Sequence, residues 1–176
     1  MISLPPSSLI RLDSNTGEAY YRQIYARLRS AVADGLLQPG DRIAIQMPNV
    51  LQFPIAVFGA IRAGLVVVNT NPLYTAREMR HQFKDSGARA LIYMNMFGHL
   101  VQEVLPDTEI KYLFEARMGD MLPGLKGMLV NAAVKHVKKM VPSYSLPQAI
   151  SFKAALKRSK GQRARCEGGK RQQDSA

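Results

Sequence analysis

Few of the 176 residues carry side chains that could do chemistry, and their spacing limits what that chemistry would be. The histidines are His81, His99 and His136, and their spacings match no zinc motif. Each is expected on a helix surface or half-buried. The single cysteine, Cys166, excludes a disulfide framework and a cysteine-built metal site, and it reads as a plain exposed thiol. Gly168-Gly169-Lys170 is the nearest approach to a phosphate-binding loop. It lacks hydroxyl residues, a following glycine and a flanking strand, so it reads as part of a solvated tail. There is no Gly-x-Ser-x-Gly nucleophile motif. The most organised pattern is LKGMLVNAAVKHVKKMV. Leu125, Met128, Leu129, Ala132, Ala133, Val137 and Met140 share one helical face there, and Lys126, Lys135, Lys138 and Lys139 lie off its centre. A basic amphipathic helix of this kind can rest on anionic lipid, which makes the four lysines candidate membrane-surface residues. The plainer reading, which we prefer on the sequence, packs the helix against the rest of the whole protein, segments beyond these residues included, and leaves the lysines in water.

The elements that must position these residues follow from periodicity. Tyr21, Ile24, Tyr25, Leu28 and Ala31/Val32 recur at helical spacing, and Gly35 and the turn Leu37-Gln38-Pro39-Gly40 end that helix. Ile43, Ile45 and Met47 alternate with Arg42, Ala44 and Gln46, as in a strand. Asn49 is placed to cap the next helix, FPIAVFGAIRAG, with Pro54 in its first turn and Gly64 at its end. Leu65-Val66-Val67-Val68 is an unbroken apolar run, the signature of a strand buried on both faces. Thr75-Ala-Arg-Glu78 is a capping box, with Tyr74 and Met79 placed as a hydrophobic staple, and its helix closes at Gly87. ARALIYM, GHLVQEVL and IKYLFEA read as strand, helix and strand. Strand–helix–strand repetition with short joints predicts an α/β fold with a mainly parallel sheet and helices on its faces.

Charge adds a second constraint. Twenty-four Lys and Arg against thirteen Asp and Glu give a net charge of +11. The excess is uneven: residues 1–40 carry +1, residues 153–176 carry +6, and the middle holds the remaining +4. The last stretch, 158–176, is polar and without apolar period, so it is expected to be a disordered basic tail. No signal segment opens the chain and no run approaches the ~18 apolar residues of a membrane span. A cytoplasmic location, peripheral on the inner membrane if the lysines act there, is the expectation.

Two resemblances refine this reading. YRQIYARLRSAVADGLLQPGDR resembles the first helix of GntR-type regulators, the MocR branch especially, over about residues 10–42. The recognition helix that reads base edges in that family has no counterpart here, so specific DNA binding is not expected. GDRIAIQMPNVLQFPIAVFGAIRAGLVVVNTNPLYTAREMRHQFKDSGARALIYMNMFGHL, continuing through SFKAAL, resembles the N-terminal region of bacterial long-chain fatty-acid–CoA ligases over about residues 40–156. These are AMP-forming enzymes of the adenylate-forming superfamily. Gly40-Asp41-Arg42 is a phrase common to both families, and a join between two coding stretches is expected there. The expected organisation is a GntR-like helix and turn at 1–42, the front of an AMP-binding ligase domain at 43–157, and the tail at 158–176.

The ligase resemblance implies a reaction of fatty acid, ATP and CoA to acyl-CoA, AMP and pyrophosphate, with Mg²⁺ as cofactor. The first step joins two anions, so it depends on positioning and charge neutralisation. The family's Ser/Thr/Gly-rich loop ending in Lys-Gly and its later motifs have no match in these residues. No catalytic, ATP-binding or metal-binding residue carries over, and no cofactor is expected on this chain. We therefore expect a truncated or chimeric ligase fragment, inactive alone, with an open sheet edge, marginal stability and a tendency to associate. Expected partners are the remaining ligase segments, further copies of the chain, or weakly an anionic membrane surface. A truncated regulator and a non-catalytic binding module remain as alternatives.

Overall fold

The computed structural model describes residues 20–33 and 36–157. The tail at 158–176, Cys166 and residues 1–19 lie outside the described residues. Five strands, β1 (Arg42–Gln46), β2 (Val66–Thr70), β3 (Ala90–Met94), β4 (Tyr112–Ala116) and β5 (Ile150–Ser151), form one sheet. Its order is β2-β1-β3-β4-β5, and every pairing is parallel. The helices are α1 (Tyr20–Ala33), α2 (Gln52–Arg62), α3 (Ala76–Ser86), α4 (Gly98–Val104), α5 (Gly124–Ala132) and α6 (Phe152–Lys157). The α/β class expected from the repetition is the class found.

Helices cover both faces, and the strand residues divide between two cores. On one side Ile43, Ile45, Ile92, Met94 and Phe114 pack with residues of α1, α2 and α6. On the other Ala44, Leu91, Tyr93 and Leu113 pack with Met79 and Phe83 of α3 and Val101 and Val104 of α4. The result is three layers. It also leaves neither face of β1 to solvent beyond Arg42. Ala44 and Gln46 are as buried as Ile43 and Ile45, because the second helix layer lies over them.

The β2 expectation is reversed. Its Val run is not buried on both faces: Val66 is 49% exposed, and only Thr70 is fully buried. The strand sits at the sheet edge with β1 as its one neighbour. An apolar run shows that both faces suit burial, but the sheet neighbours decide whether burial happens.

Two helix starts differ in instructive ways. At α3 the capping box is present as expected: Thr75 Oγ1 accepts from the Glu78 N–H and Glu78 Oε2 accepts from the Thr75 N–H. Tyr74 and Met79 share the core beneath it, and Gly87 ends the helix at φ 59°. At α2 the expected Asn49 cap is not made. The Pro48–Val50 carbonyls accept from Val50 and Phe53, which keeps the chain in a turn, and the N-cap falls at Leu51 without a side-chain bond. Pro54 still lies in the first turn, where its missing N–H costs nothing.

The turn before β1 is tied into the sheet. Gly40 has φ 91°, its N–H donates to the Gly64 carbonyl, and the Asp41 carboxylate accepts from the Gln38 N–H at 2.7 Å and faces Arg89 at 3.5 Å. Helix α1 is likewise built into the fold and is no free appendage. Ile24 and Leu28 are buried in the core shared by α2 and β1. Burying such side chains contributes about 1.5–3 kcal/mol each. Gly59 of α2 makes the approach possible, since a Cβ there would lie 2.7 Å from the Ile24 side chain.

Candidate functional site

In open parallel sheets, ligands bind in the crevice beyond the carboxyl ends of the strands. Here that edge carries two cavities. The polar one, of about 490 Å³, is lined by Asn95 after β3, Glu115 and Arg117 of and after β4, Asn131, Lys135 and Tyr144. The apolar one, of about 670 Å³, is lined by Val50, Leu51, Phe53, Met118, Leu122 and Val130 among others. Buried Gln52, at the start of α2, donates to the Arg117 carbonyl at 2.9 Å and so ties α2 to the end of β4 between the two cavities.

Glu115 organises the polar cavity. Its Oε2 accepts from Tyr144 Oη at 2.7 Å and from Tyr93 Oη at 3.4 Å, and its Oε1 pairs with Arg117 at 3.0 Å. Both carboxylate oxygens are therefore engaged. Burial, reinforced by the Glu115 charge and the hydrogen bonds to it, pushes both phenols well above their ordinary pKa. Tyr144 reaches this position because Gly98, at the start of α4, has no side chain: a Cβ would lie 2.2 Å from the phenol ring. The Ser145 N–H donates to Gln102 Oε1 at 2.7 Å and holds the same loop against α4. Asn95 Oδ1 is buried in this region without a partner. Nearby, Asp120 accepts from the Arg117 N–H at 2.8 Å, and burial pushes its carboxyl up from the usual value.

Chemically, this edge can hold a polar group and exclude water from an apolar one. Among the described residues no group of three or more His, Cys, Asp or Glu converges to hold a metal ion. The positive-φ glycines among the described residues are Gly40, Gly64, Gly87 and Gly124.

The sequence-selected lysines fall on and after α5. Lys126 lies on the helix, Lys135 in its π-helical continuation over Ala133–Val137, and Lys138 and Lys139 just beyond. All four are exposed, and Lys135 also lines the polar cavity. This helix meets the described fold through one side only. Its seat on the fold is the narrow stripe Gly127, Val130, Asn131 and Val134. Gly127 approaches Gly119 so closely that a Cβ would lie 2.5 Å from the Gly119 carbonyl, and Asn131 Oδ1 accepts from the Gly119 N–H at 2.8 Å. The predicted apolar face points outward instead. A stripe of small and polar residues won because backbone contact and an amide bond fit the β4–α5 turn, where large side chains would not. His81 and His136 are exposed and His99 is half-buried, and the three lie on separate elements. The Glu115–Tyr144 pair was missed. The one available signal was Glu115 itself, a charge inside the apolar strand YLFEA.

Comparison with known proteins interprets this frame. The family described as AMP-binding enzyme matches residues 11–155. The chain belongs to that family. Among curated relatives, the long-chain-fatty-acid–CoA ligase of Yersinia pestis is 48% identical over 151 residues, 83% of this chain and 27% of that one. The counterpart from Escherichia coli O157:H7 is 48% identical over 147 residues, 81% of this chain and 26% of that one. The chain thus spans about a quarter of the length of the curated relatives it matches. Two solved structures share its fold at lower identity. Acetoacetyl-CoA synthetase from Streptomyces lividans matches with TM-score 0.56 and 14% identity, over 78% of this chain and 19% of that one. A benzoate CoA ligase from Burkholderia xenovorans matches with TM-score 0.52 and 22% identity, over 78% and 22%.

The AMP-binding match also bears on the GntR resemblance. The matched span includes residues 11–42, and α1 shares a core with α2 and α6. The regulator likeness gains no support.

Proposed function

We propose that this chain supplies the N-terminal α/β portion of a long-chain fatty-acid–CoA ligase and has no turnover by itself. The observation that carries the reading is 48% identity to such ligases across four fifths of the chain. The lack of turnover follows from chemistry. Joining a carboxylate to the α-phosphate of ATP needs a phosphate cradle and neutralising charge; the sequence holds no Ser/Thr/Gly-rich loop ending in Lys-Gly, and the described residues hold no converging metal site. ATP, Mg²⁺ and CoA would engage other ligase segments, which are the proposed partners of the open β2 edge. We place the chain in the cytoplasm, peripheral to the inner membrane.

The test supplies the purified polypeptide with long-chain fatty acid, ATP, Mg²⁺ and CoA, and follows acyl-CoA and pyrophosphate. The expected result is no product above the protein-free rate. Sustained formation of both products by the chain alone would refute the proposal.

A further inference from the structure

Three side-chain oxygens beneath α3 belong to neither cavity. Gln46 Oε1, Thr70 Oγ1 and Gln82 Oε1 are closed to solvent and meet no hydrogen-bond partner among the described residues. Gln46 is 0% exposed and Thr70 1%. A buried polar group left without a partner is destabilising, so three in one place point to a group that pairs them.

The fold brings the three together. Gln46 ends β1, Thr70 ends β2, and the two are partners in the parallel register. Such neighbours stand on strands about 4.8 Å apart. Strand alternation puts Gln46 on the face of Ala44 and Thr70 on the face of Val68, and both of those residues pack in the core of Met79 and Phe83. From the helix side, Gln46 Nε2 donates to Met79 Sδ at 3.3 Å, and Gln82 Nε2 donates to the Asn69 carbonyl at 3.2 Å. Met79 and Gln82 lie one turn apart on α3. Each amide is therefore anchored through its nitrogen and offers its oxygen.

Chemistry selects the occupant. The two amide oxygens only accept, whereas the Thr70 hydroxyl can donate. A small group with two donors and one acceptor satisfies all three. Water is that group, and buried waters typically make about three hydrogen bonds. A cation fits less well. The surrounding core of Ala44, Met79, Phe83, Leu91 and Tyr93 holds no carboxylate. Glu78 is occupied at the Thr75 cap, and an unpaired buried charge is strongly disfavoured. A side chain from another ligase segment has no way in, because these residues close the site to solvent by themselves. We propose that one structural water is bound between Gln46, Thr70 and Gln82 and pins the carboxyl ends of β1 and β2 to α3. The segment it steadies is the connection 71–75, which leaves the sheet at the edge that carries the cavities. The inference does not rest on the ligase reading, because it concerns packing within this chain.

The test uses the full chain with the volume-conserving variants Gln46→Met and Thr70→Val, alone and together. Oxygen-17 relaxation dispersion of the solvent counts the waters held longer than the protein's tumbling time. The double variant should hold one fewer than the parent. Each single variant strands the remaining oxygens and should lower the folding equilibrium constant roughly tenfold. The double variant should lose far less than the roughly hundredfold of two independent sites. Exchange of the Leu73 and Tyr74 N–H groups, both bonded to Asn71, should quicken in the variants. An equal count of held waters in parent and double variant would overturn the proposal, as would losses that simply multiply. A parent that holds no long-lived water would overturn it without any variant. Stabilisation by potassium chloride over choline chloride at equal ionic strength, absent from the double variant, would overturn it in favour of a monovalent cation.

Discussion

Gly98 and Tyr144 show how single residues shape the candidate site. The phenol occupies the volume that any side chain at position 98 would need. Gly98→Ala should expel Tyr144 from Glu115 and cost about 1–3 kcal/mol, measured as a lower urea midpoint at unchanged slope. The phenols themselves make a pH prediction. Burial and Glu115 raise the folded pKa of both Tyr93 and Tyr144. Their contribution to stability is thus fully present below the ordinary phenol value of about 10 and is lost as pH rises toward the folded values. Alkaline titration of tyrosinate absorbance should show two of the seven tyrosines delayed to the unfolding transition. Glu115→Gln removes the charge that helps raise both phenols, so Tyr93 and Tyr144 should ionise at lower pH; their ionisation at the ordinary phenol value in the folded parent would contradict the assignment.

Elements were legible where local physics decides them. The α3 capping box, its Gly87 stop and strands β3 and β4 could be read directly, because caps and apolar runs act within a few residues. Thr75→Ala should accordingly destabilise the chain by about 1 kcal/mol in denaturant unfolding. What sequence could not show depends on neighbours distant in the chain. The β2 run looks internal but stands at an edge. The apolar face of α5 looks like core but points outward, because Gly127 and Asn131 meet Gly119 more closely. Periodicity names a face without naming what lies against it. The same limit hid the polar cavity, whose Tyr144 comes from an irregular loop and meets Glu115 only through the tertiary fold.

At the scale of the whole molecule, three layers around a parallel sheet form a frame whose strand ends carry two cavities and whose α5 presents apolar and basic groups outward. That frame is the family's, as the match over residues 11–155 shows. We propose that this frame supports acyl-CoA synthesis when the rest of a ligase is joined to it. The most direct measurement replaces the matching segment of the Yersinia pestis ligase with residues 11–155 of this chain and follows long-chain acyl-CoA formation. We predict a folded chimera that turns over within about tenfold of the parent ligase, a loss of ~1.4 kcal/mol or less in transition-state stabilisation. A chimera that folds cooperatively but forms neither acyl-CoA nor pyrophosphate would contradict it.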